Sequence, residues 1–273
     1  MGSLSLSIDA AVNNGLVALV TGGASGIGRA TCLALAREGW KVVAIVDRDV
    51  DGLNRVAAEI AALGATAETI TADLGDVART SAIVPNLVER HGRLNTFVHC
   101  AAIARPSIMF VDYSTDLLDQ DLDINLTSAF ILAREAARVM IANGSRGSMV
   151  FIASINAQGA GAGSVGYCVS KAGLVALMKV LAAELGPQGI RVNTVSPGPT
   201  DTPRSVFRVG NTVMEQLRQR FDGAALRRLG DPSEIADAVV YLASERSSYI
   251  SGHDLVVDGG LMASVYVATR NQD

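Results

Sequence analysis

Short runs rich in apolar and β-branched residues recur along the chain, separated by longer stretches in which apolar positions return every three or four residues. The runs at 16–21, 41–46, 66–71, 96–100, 148–154, 190–196 and 254–257 have the length and composition of strands. The periodic stretches at 27–38, 49–63, 76–91, 115–143, 167–185, 203–220 and 233–243 predict helices. Strands that alternate with helices need right-handed crossovers, which gives an α/β fold: one doubly wound parallel sheet of about seven strands with helices on both faces. No internal repeat, low-complexity tract or linker interrupts the pattern. The expectation is therefore a mobile leader over residues 1–14 and a single domain over 15–273.

Between the first strand and first helix stands Thr21-Gly22-Gly23-Ala24-Ser25-Gly26-Ile27-Gly28. A strand, a glycine turn and a helix aim free backbone N–H groups and the positive end of a helix dipole at a phosphate. Glycine permits the tight turn and lets a ligand come close to the backbone. This context makes the domain Rossmann-like, with a dinucleotide at the carboxyl ends of its strands. Asp47 closes the second strand about 20 positions further on, where a carboxylate can accept hydrogen bonds from an adenosine ribose and repel a 2′-phosphate. That points to NAD over NADP, although Asp47, Asp49 and Asp51 are also good helix-cap residues and Arg48 adjoins. Ser25 stands where a basic residue would meet the extra phosphate.

Tyr167 and Lys171 lie one helical turn apart, so phenol and ammonium can enter the same cleft. A nearby cation favours the phenolate and makes tyrosine a usable base. Alone the spacing is commonplace, a half-buried Tyr and a solvated Lys. Its weight comes from the glycine loop upstream.

Composition narrows the classes. The chain has 273 residues, 49% of them hydrophobic, and a formal net charge of -4, enough to build a sizeable core and too acidic for a phosphate-binding nucleic-acid surface. Cys32, Cys100 and Cys168 have no paired spacing, which suits a reducing compartment, and His91, His99 and His253 have no metal-ligand spacing. No apolar run reaches the roughly 18 residues of a membrane span, and the expectation is a soluble cytoplasmic protein with no membrane or nucleic-acid partner. Arg204, Arg208, Arg218, Arg220, Arg227 and Arg228 form a locally basic stretch, read as a solvated helix face, with an anionic-substrate clamp as the sharper alternative.

Taken together these residues resemble the short-chain dehydrogenase/reductase family over essentially all of residues 16–260. Thr21 to Gly28 resembles its TGxxxGxG loop, and Asp73-Leu74 is similar to the pair that contacts adenine. Ser154 precedes Tyr167 at the family's spacing, and Asn125 in Ile124-Asn125-Leu126-Thr127 resembles its helix asparagine. Ser196-Pro197-Gly198-Pro199-Thr200-Asp201-Thr202 is similar to the family's PG segment, in which the threonine matching Thr202 holds the nicotinamide amide. The resemblance implies a catalytic set of Asn125, Ser154, Tyr167 and Lys171. It implies cofactor contacts from Gly22, Ser25, Gly26, Ile27, Gly28, Asp47, Asp73, Leu74, Ala101, Tyr167, Lys171, Pro197, Gly198, Thr200 and Thr202, and no metal. One departure stands out: His99-Cys100-Ala101-Ala102 replaces the usual Asn-Asn-Ala-Gly, and His99 is expected to brace the sheet as an asparagine amide would.

The implied activity is NAD-dependent interconversion of a secondary alcohol and a ketone. Tyr167 is the base, helped by Lys171, Ser154 holds the substrate oxygen, and Asn125 anchors a water route for the proton. A small-molecule alcohol or ketone is the expected partner, in a homotetramer or homodimer. The alternatives are a non-catalytic dinucleotide-binding scaffold and an NADP-using ketone reductase. A flap at about 203–229, with 101–114 and 155–163, is expected to shape the substrate site.

Overall fold

Successive side chains of a strand point to opposite faces, so an apolar run buried in a sheet feeds two cores at once. The computed structural model of the chain describes residues 15–103 and 105–263, and the expected leader lies outside them. In it, β1 (Val17–Thr21) sends Val17 and Leu19 into one cluster and Ala18 and Val20 into the other. The remaining strands are β2 (Val42–Asp47), β3 (Thr66–Thr71), β4 (Thr96–His99), β5 (Gly147–Ile152), β6 (Ile190–Pro197) and β7 (Asp254–Val257). β5 repeats the division, with Met149 and Phe151 on one side and Val150 and Ile152 on the other.

The sheet has seven strands in the order β3-β2-β1-β4-β5-β6-β7, every neighbouring pair parallel. One face is covered by α1 (Gly26–Arg37), α2 (Val50–Ala62) and α9 (Pro232–Ala243), which bring Leu35, Ile60 and Val239 to the first core. The other is covered by α3 (Val77–His91), α5 (Ser128–Ala142) and α6 (Val165–Leu185), which bring Leu87, Leu132 and Met178. Phe97 and Phe151 meet edge to face there, centroids 6.1 Å apart at 79°. Each large side chain so buried contributes about 1.5–3 kcal/mol. The expected doubly wound parallel sheet is the fold.

Three local expectations need correction. The helix expected over 115–143 is two helices, α4 (Thr115–Leu122) and α5, joined by a π-helical turn over Asp123–Thr127. There the Ser128 hydroxyl donates to the Ile124 carbonyl (2.7 Å) and the Asn125 side chain turns into the core. The helix expected over 203–220 is also two, α7 (Pro203–Val209) and α8 (Asn211–Gln219), parted by Gly210 at φ 83° and ψ 160°, a conformation almost confined to glycine. Lastly, Val165–Gln188 is long and apolar enough by length and composition to cross a membrane, against the expectation that no stretch would be. Lys171, Lys179 and Glu184 stand within this segment and break it into shorter apolar runs. Within the fold this helix lies on the sheet beside β6 and buries Leu174, Met178 and Leu185 in the core.

The order reverses between β1 and β4, the strands from which the crossovers depart in opposite directions, so a crevice opens past their carboxyl ends. His99 sits at the floor of that crevice, 0% exposed, with Nδ1 3.0 Å from the Thr21 hydroxyl, which in turn accepts the Ala101 N–H at 3.1 Å. It ties β1 to the loop after β4. Burial, and then the charge of Lys171, push the His99 pKa down to about 3. In the unfolded chain the imidazole would titrate near its ordinary value of 6.5. The unfolded state thus binds the extra proton first, and stability is full above that value and lost as pH falls through the interval. The expected slope there is roughly 1.4 kcal/mol per pH unit from this group. Urea titrations of the parent and of His99→Asn between neutral pH and pH 4 should show a shallower pH dependence in the variant; parallel curves would refute the assignment.

Candidate active site

Three glycines let the loop after β1 close on itself and on its neighbours. A Cβ at Gly28 would lie 2.0 Å from the Gly22 carbonyl oxygen, and one at Gly23 would lie 2.2 Å from Ile45 Cγ2. Gly22, at φ 66°, would set a Cβ 2.8 Å from the Ala101 backbone, so the loops after β1 and β4 touch where the crevice begins. Ser25 precedes α1 without a side-chain cap, which leaves the first-turn N–H groups of that helix facing the crevice. Open helix N-terminus and glycine loop together make an anion cradle fit for a pyrophosphate.

The crevice is a cleft of ≈ 960 Å³, and Gly22, Ser25, Gly26, Ile27, Gly28, Asp47, Asp73, Leu74, Ala101, Pro197, Gly198, Thr200 and Thr202 all line it. Asp47 accepts the Ala24 N–H at 3.1 Å and its own following N–H groups at 2.8 and 3.2 Å, so it both steadies the glycine loop and begins the next turn. The helix cap is Asp49, which takes the Gly52 N–H at 3.0 Å. Thr202 caps α7 by accepting the Ser205 N–H (3.1 Å) and lies against Gly26, whose added Cβ would sit 3.5 Å away. These residues fit a dinucleotide stretched from the ends of β2 and β3 to the end of β6.

At the other end of the cleft stand Ser154, Tyr167 and Lys171. Ser154, just past β5, accepts the Asn156 N–H at 3.1 Å, and its hydroxyl is a hydrogen-bond partner of the Tyr167 phenol. Lys171 is 1% exposed and donates to the Ile152 carbonyl at 2.6 Å, with Nζ 5.7 Å from the Tyr167 ring centroid. Burial pulls the lysine down and Tyr167 holds it up, to about 8. Burial would raise the phenol, but Arg204, then Lys171 and the Ser154 hydroxyl, outweigh it and bring Tyr167 down to about 8. The three are brought together at the mouth of the crevice.

Asn125 does not line the cleft. It is 0% exposed behind it; Oδ1 accepts the Ile103 N–H (2.7 Å) and Nδ2 donates to the Ile103 carbonyl and the Ser170 hydroxyl (3.1 Å each). It pins the loop after β4 to α6, the helix that carries Tyr167 and Lys171.

The basic stretch divides. Arg218 pairs with Asp201, Arg220 with Asp222 and Arg228 with Glu234, and these with Arg227 are exposed as a solvated face requires. Arg204, half-buried, and Arg208, itself exposed, both line the cleft, and the Arg204 guanidinium lies 4.8 Å from the Tyr167 ring centroid. The sequence carried a signal for this, since Arg204 follows the Thr202-Pro203 pair that begins a helix from the cleft edge. The Cys100 thiol, in the crevice floor, is pushed by burial up to about 12 and is no nucleophile. Among the described residues no group of three or more His, Cys, Asp or Glu could hold a metal ion.

A family model described as enoyl-(acyl carrier protein) reductase matches residues 22–262. An L-rhamnose 1-dehydrogenase (NAD(P)(+)) of Azotobacter vinelandii is 36% identical over 250 residues, 90% of this chain and 96% of that protein. (+)-Borneol dehydrogenase 1 of Salvia officinalis is 38% identical over 247 residues, 90% of this chain and 93% of its own length. The crystal structure of a short-chain type dehydrogenase/reductase from Mycobacterium marinum matches with a TM-score of 0.81 at 33% identity, covering 92% of this chain and 97% of that one.

The Asn125 contacts generate a test. Asn125→Ala removes the acceptor of the part-buried Ile103 N–H, at a cost of about 1–3 kcal/mol. The urea midpoint should fall accordingly, and an unchanged midpoint would show that the asparagine holds nothing together.

Proposed function

We propose a function from one premise: the chain belongs to the short-chain dehydrogenase/reductase family. It is an oxidoreductase. The proposed reaction interconverts a secondary alcohol and a ketone, with NAD as cofactor. The observation that carries it is the Tyr167 phenol, held at about 8 in a cleft where Ser154 and two cations converge.

In the oxidative direction Tyr167 Oη takes the substrate hydroxyl proton, while the Ser154 hydroxyl donates to the same substrate oxygen and fixes its direction. Lys171 and Arg204 favour the phenolate, so a useful fraction of the base is present near neutral pH. Lys171 keeps two protons beyond the one given to Ile152, and these suit ribose hydroxyls. The first turn of α1 and the glycine loop would receive the pyrophosphate, Asp73 and Leu74 the adenine, and Thr202 the carboxamide. When bound, the nicotinamide supplies the hydride acceptor for oxidation and the donor for reduction. Asp47, at the end of β2, favours an unphosphorylated adenosine ribose, which supports NAD; the Azotobacter relative's name allows both cofactors. Asn125, held by Ile103 and Ser170, acts in this reading as a positioning residue that can also anchor a water on the route by which the proton leaves.

A homodimer or homotetramer completes the proposal. Phe130 of α5 and Val169 and Val180 of α6 are 46%, 48% and 53% exposed in the single chain, apolar surface that a second copy would cover. Sedimentation showing only 28.3 kDa particles would remove this part.

The central test is a panel of secondary alcohols assayed with NAD and NADP separately, read by absorbance of the reduced cofactor. Oxidation kcat/KM should rise with pH and level off above about 8, where the phenol is deprotonated. Lys171→Met should move that midpoint upward, and Tyr167→Phe should lower kcat by about 10²–10⁴ while NAD still binds. Full turnover in Tyr167→Phe would leave a dinucleotide-binding protein whose chemistry lies elsewhere. Asp47→Ser should raise NADP use relative to NAD, and an unchanged ratio would remove the cofactor assignment.

A further inference from the structure

The cleft has two electrically different ends. Asp47 and Asp73 line the first, and Asp123 belongs with them because its neighbour Ile124 lies against Gly75. Among the described residues no carboxylate lines the cleft wall around Tyr167; Asp121, which shares a small adjoining pocket with Tyr167 and Arg208, is paired with Arg105 at 3.0 Å. Arg204 and Arg208 do, and among the described residues neither has an acidic side chain within ion-pair distance, whereas Arg218, Arg220 and Arg228 on the adjoining segment all do. Arg208 is held by one hydrogen bond to the Ser164 hydroxyl, 3.0 Å. Arg204 is half-buried over the Tyr167 ring at 4.8 Å. The walls beside it, Pro203, Met214, Leu217 and Phe221, are apolar. A guanidinium turned into a partly apolar cleft loses hydration, and the charge that Arg204 meets among the described residues is that of the Tyr167 phenolate, which vanishes when the phenol is protonated; a planar anion that accepts two parallel N–H bonds is its natural ligand.

We propose that the substrate carries a carboxylate one or two carbons from the reacting carbinol, and that Arg204, supported by Arg208, binds it. This rests on the oxidoreductase reading and adds to it the substrate class, α- or β-hydroxy acids and their oxo counterparts. The place of Arg204 sets the distance: it faces the base directly, so the charged group has to adjoin the carbon that Tyr167 serves. A cofactor phosphate is the other anion in reach of the cleft. It belongs at the first turn of α1, where Thr202 lies against Gly26, and the chain turns from there into α7 before it reaches Arg204. Specificity of this kind is strong because a neutral analogue leaves the guanidinium unpaired.

The experiment compares lactate and β-hydroxybutyrate with their methyl amides, beside a set of simple neutral secondary alcohols, in the parent, Arg204→Met and Arg204→Lys. The readout is the ratio of kcat/KM for acid over amide. Any influence of Arg204 on the Tyr167 base acts on both members of a pair and cancels in that ratio. For at least one pair the parent should favour the acid, Arg204→Met should reduce the ratio roughly tenfold or more, as loss of a charged hydrogen-bond partner requires, and Arg204→Lys should keep part of it. Amides used as well as acids, or a ratio unmoved by Arg204→Met, overturns the proposal. So does turnover of the simple alcohols with neither acid accepted. Titration calorimetry with NAD alone separates the remaining source: weaker NAD binding in Arg204→Met with an unchanged ratio assigns the guanidinium to the cofactor and overturns the substrate assignment. If no alcohol on the panel reacts with either nucleotide, the oxidoreductase reading itself fails.

Discussion

A lysine ammonium at 1% exposure is an expensive object to place inside a protein, and the arrangement around Lys171 shows how the cost is met. Its head donates to the carbonyl at the end of β5, the last residue of a central strand, and faces a phenol that gains from its charge. The carbonyl cannot move without the sheet and the ammonium cannot move without α6. This one contact therefore fixes the distance between the edge of the sheet and the helix that carries Tyr167. Lysine and phenol tune each other, burial driving the first down and cations drawing the second down until both lie near 8.

The supports behind that contact are buried polar groups chosen for geometry. Asn125 reaches inward from a π-helical turn, where an ordinary helix would have carried its side chain elsewhere, and bridges Ile103 to Ser170. On the other side His99, neutral because burial and Lys171 both oppose its protonation, joins Thr21 to the loop after β4. The replacement of the family's usual asparagine by histidine thus keeps a brace and changes its chemistry, tying the charge state of the floor to the charge above it. The Nε2 atom of that ring has no hydrogen-bond partner among the described residues.

Opposite charges at the two ends of one cleft give it a direction. In the proposed function a dinucleotide would have its adenosine among carboxylates and its reactive ring beside cations, so that cofactor binding and substrate selection would draw on different side chains. Arg204 serves the reactive end twice, by favouring the phenolate and by offering a counter-charge to whatever stands before it. Both effects come from α7, the short helix that Gly210 separates from α8, and its orientation sets how much of either is felt.

Much of this could be read from the chain alone because it depends on local periodicity. Strand and helix alternation follows from spacing, the glycine loop announces itself by residues that no side chain could replace, and Tyr167 and Lys171 share a face because a helix makes them do so. Other features had no local signature. The break at Asp123–Thr127 depends on where Asn125 can find buried partners, and those come from β4 and α6, far away in sequence. Val165–Gln188, apolar enough for a bilayer by length and composition, turns Leu174, Met178 and Leu185 to the core, a placement that depends on the sheet beside it. The division of the six arginines depended on which carboxylates the fold brought near: Asp201, Asp222 and Glu234 claimed three, and only the tertiary structure left Arg204 facing the phenol. Pattern decides what a segment will be, because backbone geometry is short-ranged; the company a charge keeps is decided by packing, because the groups that answer it arrive from elsewhere in the chain.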